Sequence, residues 1–266
     1  MSDALMFIKL AWENTWKQKT IWLFSALSIA PQLLFRIFPI KPQPSLLVLL
    51  LLIGVFIISI YFWYANAIGV PYLAYCFSIG RTVSIRETLF AINKFSGRII
   101  GFSCLTILIF VPCFLLVVIF STKNSTFPAN LPANLFLAFL PLSIFNSIWD
   151  FSIIGFFAKD LGVRKSIKEA WTLFRNHFIV LASIGIILRG ILQVINVVAV
   201  CLTLLIQSGF DTTSLSNLNF INPSLSLSHN ILFLLINAVV QISWPPFTAF
   251  VFILAYLKFS SAKIHP

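Results

Sequence analysis

Asp150 and Arg189 each lie inside a long apolar run of this 266-residue chain. An ionisable group in hydrocarbon is costly and needs either a partner or a function. Amides accompany both at helical spacing: Asn146 stands four residues before Asp150, Gln193 and Asn196 follow Arg189 at four and seven, and Asn237 and Gln241 are four apart. Each set shares one helix face, so three polar stripes are expected to turn toward one another and away from lipid. Counting inward from Lys159 and His177 places Asp150 about 13 Å and Arg189 about 18 Å above the inner boundary, at about 1.5 Å per residue. Side chains lean toward a helix's N-terminus, which brings Arg189 down toward Asp150. The expectation is an ion pair. Two readings follow: a polar pathway or substrate pocket between spans four, five and six, or interhelical glue that fixes register. The chain of acids and bases that proton-coupled carriers display is missing, which weighs toward glue.

Other chemistry is scarce. His177, His229 and His265 each stand alone at a span boundary or the terminus, and Cys76, Cys104, Cys113 and Cys201 have no metal-ligand spacing. No His-Glu-x-x-His, phosphate loop or Gly-x-Ser-x-Gly occurs. No enzyme, metal or cofactor is therefore expected, and the cysteines read as apolar fillers. Ser84-Ile-Arg-Glu87 and Ser166-Ile-Lys-Glu169 both fit a capping box, in which the serine accepts an amide three residues on and the glutamate reaches back to the serine amide.

The elements that must position these residues are membrane helices. Apolar residues make up 59% and charged residues 9%, with mean hydropathy +1.00, against about 25% charged in an ordinary globular chain. Six spans are expected, at about 20–38, 46–79, 99–121, 133–158, 178–207 and 230–258, each near or beyond the ~18 residues a crossing requires. The runs are solidly apolar, which excludes the alternation of a membrane β-barrel. The first begins after Lys17 and Lys19 and continues past Pro31, so it reads as a retained helix rather than a signal peptide.

The formal charge of +11 is a topology signal. With the N-terminus cytoplasmic, every lysine and arginine except Lys41, Lys123, Arg36 and Arg189 falls on the inner side, as the positive-inside rule requires. Both termini are then cytoplasmic, in a plasma membrane. The inner face attracts anionic lipid headgroups, and nucleic acid is not an expected partner. Arg36 is near enough to the outer surface to snorkel. The outer loops are polar: a proline-rich turn at 38–45, a segment carrying the sequon Asn124-Ser125-Thr126, and 208–229, which holds Asp211 and no lysine or arginine.

A repeat organises the spans. Ile8-Lys9-Leu10-Ala11-Trp12, Ser84-Ile85-Arg86-Glu87 and Ser166-Ile167-Lys168-Glu169-Ala170-Trp171 are related segments, each leading into an apolar hairpin. The expected fold is an all-α membrane protein: six transmembrane helices as three hairpins, each preceded by a cytoplasmic amphipathic helix. It forms one domain over 1–266, with repeats about 1–80, 81–160 and 161–266. The expected apolar faces are Leu5, Ile8, Trp12 and Trp16; Ile85, Leu89, Ile92 and Phe95; and Val163, Ile167, Ala170, Trp171 and Phe174. Such helices either lie in the interface plane or pack under the bundle as connectors. Pro71, Pro141 and Pro245-Pro246 interrupt even-numbered spans, and Pro112 falls in the third, a feature shared by transporters and by helices that merely kink. No homodimer face is assigned.

The stretch from Ala158-Lys-Asp-Leu-Gly-Val-Arg-Lys to Arg175-Asn-His177, with Ala11-Trp12 and Trp16 to Leu23, resembles bacterial membrane proteins related to the membrane domain of some glycerophosphoryl diester phosphodiesterases. The resemblance implies a six-helix bacterial inner-membrane protein. The phosphodiesterase barrel is absent, so no such activity is carried over. The sequence reading is a non-enzymatic membrane protein with a structural or partner-binding role, its partner another membrane protein. The alternative is a small permease or lipid-handling transporter using the polar interior.

Overall fold

The structure is a computed structural model that describes residues 2–37, 46–123, 147–207 and 231–260, and these are helical, with no strand among them. Helix α1 (Ser2–Lys17) breaks at Gln18 before α2 (Lys19–Ile37). Helix α3 (Leu46–Tyr64) runs through a π-helical turn, Ala65–Gly69, into α4 (Val70–Ser78). Then come α5 (Ile85–Lys123), α6 (Ser147–Ala158), α7 (Val163–Asn176), α8 (Phe178–Gln207) and α9 (Ile231–Phe259). Three helical stretches are long and apolar enough to cross a membrane: Ile53–Ser78, Phe178–Ala199 and Leu235–Phe259. Lys19–Ile29 and Ser147–Ala158 are shorter apolar helices among the described residues. The loops 38–45 and 208–229, the sequon and the outer half of span four with Asn146 and Pro141 lie outside them.

Proline shapes two helices. Pro71 has no amide to donate inward, and the π turn immediately precedes it. Pro246 would leave the Ile242 carbonyl without its helical donor; the Ser25 hydroxyl of α2 donates to it at 2.7 Å. Helix α9 therefore continues through Pro245-Pro246, and its defect becomes a contact with α2.

Helices α4, α6 and α9 meet through aromatic rings. Tyr72 and Tyr75 of α4 contact Phe157 of α6, Phe77 contacts Phe250 of α9, and Phe151 of α6 contacts Phe252 and Tyr256. Edge-to-face packing of this kind adds about 0.5–1.5 kcal/mol per pair beyond area burial. Helices α1, α2, α5, α7 and α8 wrap this centre, and one hydrophobic core runs through all of them.

The three related segments occupy matching environments. Ala11, Thr88 and Ala170 are buried, as are Thr15, Ile92 and Phe174, whereas Trp12, Leu89 and Trp171 are 55%, 36% and 53% exposed. In α1 the buried stripe is Ala4, Phe7, Ala11 and Thr15, with Leu5, Trp12 and Trp16 outward; in α7 it is Ser166, Ala170, Leu173 and Phe174, with Trp171 outward. Small residues let these helices approach the bundle closely, and the tryptophans face the surroundings, where indole suits a bilayer interface. The second segment is also not a separate helix. No breaker that the fold uses falls between Ile85 and the apolar run, so α5 is continuous to Lys123. Within it Gly97 and Gly101 form a Gly-xxx-Gly pair, of which Gly101 is already approached by Val163 of α7 at 3.8 Å from a built Cβ.

Candidate functional site

The capping motifs part company in the structure. At α5 the Glu87 amide donates to Ser84 Oγ at 3.2 Å and the Ser84 amide to Glu87 Oε2 at 3.3 Å, a reciprocal box. At α7 the cap reading of Ser166 and Glu169 is overturned. The helix begins at Val163 with Gly162 as N-cap, so Ser166 already lies inside it. Its buried hydroxyl donates to the Ser152 carbonyl of α6, facing Gly155. Glu169 accepts from Lys159 Nζ at 2.6 Å and from the Tyr256 hydroxyl at 2.8 Å, tying α6, α7 and α9 together.

Beside this junction Asp160, two residues past the end of α6, has a φ of 51°, a left-handed value that aspartate tolerates. Arg98 of α5 donates to the Leu161 and Phe156 carbonyls at 2.9 and 3.3 Å and pairs with Asp160 at 2.7 Å; Lys94 adds a contact at 3.5 Å. The Arg98 hydrogen bond above all holds the Asp160 carboxyl below the usual carboxylate range; desolvation opposes it, and the charges of Arg98 and Lys94 add to the lowering. Positive charge at a helix C-terminus also complements the helix dipole.

Asp150 and Arg189 line one cavity of about 330 Å³ between α6, α8 and α9. Trp149, Leu188, Trp244 and Thr248 complete its main walls. Each charge is the electrostatic partner of the other, yet no Asp150–Arg189 contact within 4.0 Å occurs among the ion pairs of the described residues. Both charges face the cavity instead of closing on each other. Its walls are held from behind. Trp149 stacks on Phe102 of α5 at 4.5 Å, Trp244 packs on Phe247 at 5.5 Å, and Thr248 Oγ1 donates to the Trp244 and Pro245 carbonyls at 3.1 Å each.

The remaining amides of the predicted stripes are not brought to this cavity. Gln241 Nε2 donates to Asn237 Oδ1 at 3.1 Å, so this pair satisfies itself along α9. Gln193 and Asn196 are exposed on α8. Asn146 lies outside the described residues. Sequence reasoning missed Trp149, Trp244 and Thr248, although Trp149 adjoins Asp150 and Trp244 adjoins the proline pair. It also missed a cavity of about 490 Å³ where the C-terminal end of α4 meets the N-terminal end of α5, lined by Tyr72, Tyr75, Arg81, Arg86, Lys94 and Phe157. Among the described residues no group of His, Cys, Asp and Glu could hold a metal. Comparison with protein-family models, curated proteins and solved structures gave no match to this chain.

Proposed function

We propose that this chain is a six-span, three-hairpin protein of a bacterial inner membrane, with both termini cytoplasmic, and that it binds a small polar or lipid-borne group between α6, α8 and α9. The reading is of a non-enzymatic permease or lipid-handling protein. One observation carries it: two opposite charges share a cavity of about 330 Å³ without contacting each other. Glue would close that distance, because an ion pair taken from water recovers its desolvation only at close range. The apolar runs, the inner bias of lysine and arginine, and the resemblance of 158–177 to bacterial membrane-domain proteins support the topology and the location.

A purely structural or partner-binding role keeps support from the Ser25 hydrogen bond, which ties α2 to α9, and from the Asn237–Gln241 pair, which is closed within α9 and turned to no ligand. Thermal-shift measurements on purified protein, against a panel of small zwitterions, anions and short-chain lipids, separate the two readings. Binding predicts a shift that is lost in Arg189→Leu and kept in Lys165→Ala. A protein that responds to no compound yet co-purifies with a defined membrane partner in both variants is a scaffold.

A further inference from the structure

The polar cavity has an apolar neighbour. A groove of about 340 Å³ runs between α1, α8 and α9, walled by Leu5, Ile8, Trp12, Ile191, Ile195 and Phe247, with Lys9 and Ser243 at its margins. Trp244 lines both spaces. On α8 adjoining faces serve the two, with Leu188, Arg189 and Leu192 on the cavity and Ile191 and Ile195 on the groove. A molecule that is charged at one end and hydrocarbon at the other fits both at once.

Resting on the reading of the cavity as a binding site, we propose that its occupant is the headgroup of a zwitterionic phospholipid whose acyl chain lies in the α1–α8–α9 groove. The guanidinium of Arg189 offers paired donors to the acceptor-only phosphate. The ammonium group finds the Asp150 carboxylate and the indole rings of Trp149 and Trp244, whose faces attract cations. A ligand carrying both charges accounts for a carboxylate and a guanidinium held apart in one cavity; a purely anionic headgroup would meet Asp150 with like charge. A soluble zwitterion would account for the cavity and leave the groove empty, so the groove decides for a lipid.

Tryptophan quenching by phospholipids brominated on the acyl chain tests this on the purified full chain in detergent micelles. Dibrominated phosphatidylethanolamine is expected to quench saturably, with Trp244→Phe removing most of the saturable component. Half-saturation should rise about tenfold in Arg189→Gln, the effect of losing one charge-assisted contact, and also rise in the groove-filling Ile195→Phe. Dibrominated phosphatidylglycerol should quench only as bulk lipid does. If Arg189→Gln fails to fold, Arg189→Lys keeps the charge but loses the fork and should show a smaller rise. Equal quenching by both lipids, unchanged in every variant, means surrounding bilayer lipid only and overturns the proposal. Should glycerophosphoethanolamine raise the melting temperature of wild type and Ile195→Phe alike, with lipid quenching insensitive to both substitutions, the lipid assignment fails while the cavity remains a binding site. Loss of every response, soluble and lipid, removes both.

Discussion

A Cβ at Gly155 would stand 2.6 Å from the Ser166 hydroxyl, which is buried and already donating to the Ser152 carbonyl. Neither group can retreat, so Gly155→Ala should lower stability by about 1–3 kcal/mol, the range for overpacking a dense core. Melting curves in detergent check this, and Ser166→Ala in the same chain should recover part of the loss, since the Ser166 Cβ is a full 3.6 Å away. Asp160 makes a second prediction at this scale. Its carboxyl is held below its ordinary value by Arg98 and then Lys94, so the stability it contributes is complete above the unfolded aspartate range, near pH 3.9, and is lost as pH falls through the lower folded value. Asp160→Asn should therefore lower stability slightly near neutral pH, the small cost of losing an exposed pair, and converge with wild type as pH falls through the folded value. Acid titration of the melting temperature in both proteins reads the difference.

Helices were legible where run length and punctuation agreed. The first turn of α5 follows directly from Ser84 and Glu87, because the reciprocal hydrogen bonds need only local spacing. The same pattern at Ser166 and Glu169 misleads, because Gly162 offers an earlier start and Val163-Arg164-Lys165 already winds into the helix. The apolar faces of α1 and α7 do not coincide with their buried faces. Hydrophobicity picks out Trp12 and Trp171, but in a bilayer the outside is apolar too, and close approach selects alanine, serine and threonine. A long-range compensation such as Ser25 with Ile242 has no local signal at all, since its partners are 217 residues apart. It yields a direct test. Ser25→Ala should cost about 1 kcal/mol in the wild-type chain and much less in Pro246→Ala, where the restored amide can serve the Ile242 carbonyl. A double-mutant cycle from thermal melts measures the coupling; additive effects would mean that the proline does not determine the Ser25 contact.

Aromatic contacts join α4, α6 and α9, and the polar cavity forms where α8 meets two of these helices, α6 and α9. The sequence located Asp150 and Arg189 on adjoining spans by counting depth, which is one-dimensional information. Whether two such side chains touch or face a shared space depends on the bulk of Trp149 and Trp244 between their helices, and no spacing rule carries that. Charged groups at the helix ends tie α5 to the segment after α6, through Arg98 and Asp160, and join that segment to α7 and α9 through Lys159, Glu169 and Tyr256. A binding site between helices requires such support from its neighbours. The most direct test is electron cryo-microscopy of the chain in nanodiscs containing phosphatidylethanolamine, enlarged with a bound antibody fragment. The account predicts non-protein density between Asp150 and Arg189, with the two side chains beyond ion-pair contact. A closed Asp150–Arg189 salt bridge with no density beside Trp244 would contradict it.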